Sequence, residues 1–178
     1  MQEYDYTLKF LNDSHYLLGE GSSVKVFQRD NKTVIRLHKE IYSFDYYNFC
    51  LNNKINGFPD IISIEKFDNF YISVSKKYTS ISDRYLSVDS SKLDHCIKIA
   101  FRYIMMDKSP TLIDNVFLKY EDVDNISSLR TAFRNFGIHK KSFPKYTVDD
   151  IDVDSTNVMM NGDEFIINDP FYVGDSYR

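Results

Sequence analysis

Asp152-Val153-Asp154-Ser155-Thr156-Asn157, running on into Val158-Met159-Met160-Asn161-Gly162-Asp163-Glu164-Phe165-Ile166-Ile167-Asn168-Asp169-Pro170-Phe171, is the stretch on which the fold turns. Val158 to Met160 and Phe165 to Ile167 are short apolar runs, and Asn161-Gly162 between them tolerates positive φ, so two antiparallel strands are expected. Such a hairpin sets Asn157 and Asp169 at adjacent strand ends. An amide oxygen and a carboxylate meeting there, with Asp152 upstream, make a compact set of hard oxygen ligands plus a candidate base. Magnesium and a phosphate fit that chemistry.

Upstream of it, Tyr16-Leu17-Leu18-Gly19-Glu20-Gly21-Ser22-Ser23-Val24-Lys25-Val26-Phe27 reads as two strands joined by a turn rich in glycine and serine. Glycines there let the backbone approach a ligand closely and turn N–H groups toward an anion, which makes Gly19, Gly21, Ser22 and Ser23 candidate phosphate contacts. Asp30-Asn31 is a turn, and Thr33-Val34-Ile35-Arg36-Leu37 is a third strand on which Arg36 shares a face with Val34 and His38, opposite Ile35 and Leu37. Apolar positions 44, 47, 50 and 51 suit a helix ending at Asn52-Asn53, with Asp45 near its start. Ile61 to Phe67, an Asp68-Asn69 turn and Phe70 to Ser75 form a further hairpin. At the N-terminus a strand is expected through Tyr6-Thr7-Leu8-Lys9-Phe10.

After the polar connector Ser75 to Ser80 the pattern changes from strand to helix, which predicts a boundary between residues 1–77 and 78–178. Ser90-Ser91 are read as the cap of a helix from Lys92 to Met106 with Leu93, Ile97, Ala100, Phe101 and Ile104 on its core face. Ile126 to Phe136 reads as a second helix stopped by Gly137. His139 to Lys145 is the strongest basic cluster, and a solvated loop is its simplest reading.

Composition bounds the rest. The chain has 178 residues, 43% hydrophobic and 27% charged, enough for one substantial core or two small lobes. No apolar run is long enough for a membrane span, and acidic Glu3 and Asp5 near the N-terminus do not suit a signal peptide, so a cytoplasmic protein is expected. The net charge of -4 argues against general nucleic-acid binding. Cys50 and Cys96 form no C-x-x-C pair and read as buried small hydrophobes. Asp150-x-Asp152-x-Asp154 begins like a calcium loop, but Ser155 replaces its glycine and Asn161 its glutamate. Neither an H-E-x-x-H pair nor a G-x-S-x-G elbow occurs.

The order of glycine hairpin, cation on the third strand, helix with acids, hinge, helices, D-x-x-x-x-N and a hairpin to D-P-F resembles the protein kinase-like fold. It is most similar to the small early-gene serine/threonine kinases of podoviral bacteriophages. The likeness runs from Tyr16 to Phe171 and is faint between Tyr78 and Thr147. It implies an α+β, bilobal fold. The N-lobe would hold a five-stranded antiparallel sheet and one helix. The C-lobe would be short, mainly helical and truncated, and would carry the catalytic-loop hairpin.

By the same resemblance Asp152 orients or deprotonates an acceptor hydroxyl, Arg36 stands at the lysine position, and Asp45 is its favoured acidic partner. Asn157 and Asp169 hold Mg²⁺ bridging the phosphates of ATP. The implied partner is a host protein, modified on Ser or Thr in the host cytoplasm, with no membrane or nucleic acid involved. Four departures stand out: arginine for lysine at 36, Val24 for the third glycine, Asp150-Ile151 for the usual His-Arg, and only seven residues after Phe171. Arg36 and the short C-lobe make an inactive kinase-like protein that binds and inhibits its host target the alternative reading, and a kinase-fold enzyme acting on a small molecule is a third.

Overall fold

The computed structural model describes residues 2–21, 23–39, 43–85, 87–142 and 155–170. Alternating side chains and tight turns build β1 (Tyr16–Glu20), β2 (Val24–Gln28), β3 (Thr33–His38), β4 (Ile61–Lys66) and β5 (Tyr71–Lys76) into one five-stranded antiparallel sheet. Its order is β1-β2-β3-β5-β4, so β3 is central and β1 is an edge. The β2–β3 turn is fixed by Asp30, whose Oδ1 accepts the N–H groups of Lys32 at 2.7 Å and Thr33 at 2.8 Å. Along β1 the register slips between Leu17 and Gly19, and the whole strand is exposed.

The expected strand at Tyr6 to Phe10 is instead part of a helix, α1 (Gln2–Ser14). A strand would put Tyr6, Leu8 and Phe10 on one face. Here Tyr4, Leu8 and Leu11, at four- and three-residue spacing, pack on Phe27, Leu37 and Phe70 of the sheet, while Tyr6 and Phe10 are 68% and 64% exposed. The helical period therefore overrides the β preference of Tyr, Thr and Phe. With α2 (Phe44–Asn52) between β3 and β4, this sheet carries two helices where one was expected. Tyr46, Tyr47 and Cys50 of α2 are fully buried. Its C-terminus is closed by the amides of Asn52 and Asn53, which donate to the carbonyls of Asn48 and Phe49.

The chain divides into two compact units, Met1–Lys54 with Pro59–Lys77, and Ile55–Phe58 with Tyr78–Arg178. In the second, α3 (Ser87–Met105), α4 (Pro110–Phe117) and α5 (Ile126–His139) share a core through Phe101, Phe117, Phe133 and Phe136. Helix α3 begins ahead of Ser90-Ser91, which lie within it. Helix α4, not expected from the sequence, starts at the Ser109-Pro110 pair, where proline suits a first-turn position that needs no N–H. Gly137 does not stop α5. The helix runs on to His139, and a Cβ at Gly137 would meet Ile113 Cδ1 at 3.1 Å, so glycine there serves the packing of α5 against α4. Of the basic cluster, Lys140 pairs with Asp107 and donates to the Ile104 carbonyl, while residues 143–145 lie outside the described part.

A three-stranded sheet of β6 (Thr79–Ser80), β7 (Val158–Asn161) and β8 (Glu164–Ile167) completes this unit. The four-residue segment Ile55–Phe58 belongs to it. Gly57 accepts the N–H of Ile167 at 2.8 Å, and Phe58 packs 6.2 Å from Phe136 between ring centroids. Gly57 has φ +89°, and a Cβ there would lie 2.4 Å from both Cα and Cβ of Ala132. Both cysteines are buried. Burial pushes the Cys50 thiol far above its usual range and that of Cys96 up to about 12, so both act as small apolar groups. No described helix is long and apolar enough to cross a membrane.

Candidate functional site

In the second unit the hairpin forms as expected, with Val158 opposite Ile167 and Asn161 opposite Glu164. The two-residue turn is Gly162-Asp163 rather than Asn161-Gly162. Gly162 takes φ +60°, and Asn161 is the last residue of β7. At the open end, a single 3-10 turn, Ser155–Asn157, leads into β7. The Asn168 N–H donates to the Asn157 carbonyl at 2.7 Å. That bond brings Asn157 beside the strand end from which Asp169 follows, so the two residues read as metal ligands are neighbours in space. Both are partly buried, between buried Asn168 and Pro170 on one side and buried Val158 on the other.

A carboxylate and an amide oxygen suit Mg²⁺, which is usually held by one or two carboxylates together with substrate phosphates rather than by an all-protein cage. Among the described residues no group of three or more His, Cys, Asp or Glu is placed to hold a metal ion.

In the first unit, strand register places Gly19 opposite Val26, Val26 opposite Arg36, and Arg36 opposite Ser73. The glycine of β1 and the cation of β3 therefore stand in one row across the sheet. A Cβ at Gly19 would meet nothing within 4 Å, which leaves its backbone open to close approach. Gly21 differs, because its N–H is taken up by the Val24 carbonyl at 2.8 Å. Ser23 offers its carbonyl to the Lys39 N–H at 2.8 Å, which ties the glycine hairpin to the end of β3. Ser22 and Asp152 lie outside the described residues.

Arg36 is only 4% exposed, because β3 is the central strand and α2 lies over part of the sheet. Its guanidinium donates to Ser75 Oγ. His38, two residues along on the same face, stacks on Tyr71 with centroids 4.0 Å apart and lies 3.2 Å from Ser73 Oγ. Ser73 and Ser75 are fully buried. This cluster was not read from the sequence. Ile72 and Val74 alternate with the serines, which suggests a strand with its serines in water, yet the face of Tyr71, Ser73 and Ser75 is the fully buried one. Asp45 sits partly buried in the first turn of α2.

Burial, and then the nearby Arg36 cation, hold the His38 imidazole well below its ordinary pKa, so it is neutral in the folded protein. An unfolded histidine takes up a proton below about pH 6.5. The stabilisation from neutral His38 is thus complete above that pH and is lost as pH falls below it toward the folded value. Between pH 6.5 and 5.5 the loss integrates to about 1 kcal/mol. Urea unfolding at these two pH values should show it, and His38→Gln should flatten the difference. An equal loss in both proteins would exclude His38 as its source.

No family model matches the chain, and no curated protein matches it. Among solved structures, the chain is similar to the ternary complex of APH(2")-IIa with streptomycin and ATP. The TM-score is 0.36 and the identity 16%, over 93% of this chain and 68% of that one.

Proposed function

We propose that the chain is an ATP- and Mg²⁺-dependent protein kinase-like phosphotransferase, encoded by a bacteriophage and acting on Ser or Thr hydroxyls of host proteins in the cytoplasm. The observation that carries this reading is the hairpin, whose Asn168 N–H donates to the Asn157 carbonyl and so brings the backbone of Asn157 beside the strand end that Asp169 follows. Asn157 and Asp169 would hold Mg²⁺, which when bound supplies positive charge against the phosphates. Gly19, with Ser22 and Ser23, would offer the backbone that phosphates approach, while the Gly21 N–H is already engaged by Val24; Arg36 supplies a fixed cation, and Asp45 is its acidic partner. Asp152 accepts the proton of the attacking hydroxyl.

Arg36 also favours a second reading. Its planar fork is engaged by Ser75 in the covered face of the sheet, whereas a phosphate-aligning group is normally a mobile point charge. On this reading the chain transfers no phosphoryl group and inhibits a host protein by binding it.

Incubation with radiolabelled ATP, Mg²⁺ and bacterial lysate separates the two. The kinase reading expects labelled proteins and about 10²- to 10⁴-fold less label with Asp152→Ala, the range for loss of a general base. Absent label from the wild-type chain, with capture of a host protein intact in Asp169→Ala, would sink it in favour of the inhibitor.

A further inference from the structure

The turn Ser155–Asn157 is three residues long and is held at both ends. At its far end the Asn157 carbonyl takes the Asn168 N–H. At its near end the Ser155 hydroxyl donates to Asp94 Oδ1 at 2.6 Å. Asp94 lies in α3, 61 residues earlier in the chain, and α3 packs directly on this turn. Its other oxygen takes the ammonium of Lys98, one helical turn on, at 2.9 Å. Ser155 and Lys98 thus use different oxygens of one carboxylate, which fixes its plane as well as its position.

We infer that Asp94 is a positioning residue, which through Ser155 locks the turn that aims the side chain of Asn157. The inference rests on the proposed role of Asn157 as a Mg²⁺ ligand. Groups that orient a metal ligand from behind typically change affinity or activity by about 10- to 100-fold when removed, although they never touch the metal.

Two features distinguish this role from ordinary support of the fold. The Asp94 side chain is 37% exposed, and it borders an open pocket of about 330 Å³ with Ser80, Ser91, Ser155 and Thr156. Its removal therefore leaves no hole in the core. The carboxylate also remains a charged acceptor at neutral pH. Partial burial pushes its pKa up, but the Ser155 hydroxyl and the Lys98 ammonium together bring it below the usual range. A charged acceptor makes the shorter and stronger kind of hydrogen bond with a hydroxyl.

The test uses the full chain with Asp94→Ala, Ser155→Ala, the double variant and Ser155→Thr. Titration calorimetry reads ATP affinity with Mg²⁺ and with chelator, and hydrogen exchange reads the amides of residues 156–161. Each single alanine variant should weaken Mg²⁺-dependent ATP binding by about 10- to 100-fold while keeping a wild-type circular dichroism spectrum. Ser155→Thr, which keeps the hydroxyl, should stay within about threefold of wild type. The double variant should be no weaker than the worse single one, because both remove the same link. Amide exchange in 156–161 should quicken in every alanine variant.

Fully additive losses, or exchange as slow as in wild type, would overturn the inference. A wild-type chain that binds ATP equally with and without Mg²⁺ would instead overturn the metal-ligand reading of Asn157. Exchange alone then decides whether Asp94 fixes the turn: faster exchange in the alanine variants supports it, and unchanged exchange overturns it.

Discussion

Gly57→Ala is expected to lower the stability of the second unit by about 3–5 kcal/mol, the largest effect of a methyl added at any of the described glycines. Two costs coincide there. A side chain at φ +89° costs about 1–3 kcal/mol, and forcing a methyl group to within 2.4 Å of Ala132 costs about as much again, because Cα of α5 is backbone and cannot swing away. For a chain of this size the melting temperature should fall by about 10 °C. Gly162→Ala is the control. Its φ is also positive, at +60°, but a Cβ there would meet nothing within 4 Å, so only the conformational cost of about 1 kcal/mol applies. Melts of the two variants within about 2 °C of each other would show that the contact with Ala132 is not a constraint.

On the proposed reading, Asp169→Ala should remove the stabilisation expected from Mg²⁺-ATP. A ligand that binds only the folded state at a hundred times its Kd stabilises by about 2.7 kcal/mol, which in a thermal shift assay is several degrees for a domain of this size. The wild-type chain should show that shift with Mg²⁺ and a much smaller one in chelator. Asp169→Ala should respond alike in both, because the carboxylate proposed to hold Mg²⁺ is gone. Should the variant keep the full Mg²⁺-dependent shift, Asp169 is not a ligand and the reading of the D-P-F stretch fails.

Much of this architecture could be read directly because the chain marks its own turns. Asp30 folds its side chain back onto the N–H groups of Lys32 and Thr33, and Gly162 takes the positive φ that a two-residue hairpin needs. Once those turns are placed, alternation assigns five strands, and pairing across the last hairpin puts Asn157 and Asp169 together. What could not be read depended on partners distant in sequence. In α1, aromatic and threonine residues favour strand locally, and only the sheet surface offered by Phe27 and Leu37 selects the helix. Strand β6 is two residues long and exists because β7 arrives to pair with it. The serines of β5 became buried partners of Arg36 and His38 through the covering of their face of the sheet. Asp94 and Ser155 meet only when α3 and the turn before β7 fold together. Asp152 and Ser22, which the sequence also singled out, fall outside the described residues.

The slip in register along β1 bears on how the protein behaves at high concentration. An edge strand that exposes Tyr16, Leu17 and Leu18 would, if flat, offer a run of backbone donors and acceptors to an edge strand of a second molecule. The irregularity between Leu17 and Gly19 breaks the run after two residues and twists the strand, while Glu20 closes its far end with a charge. A second molecule therefore finds no uninterrupted ladder to extend. The bend beside the first glycine of the hairpin thus works against edge-to-edge pairing at this apolar margin.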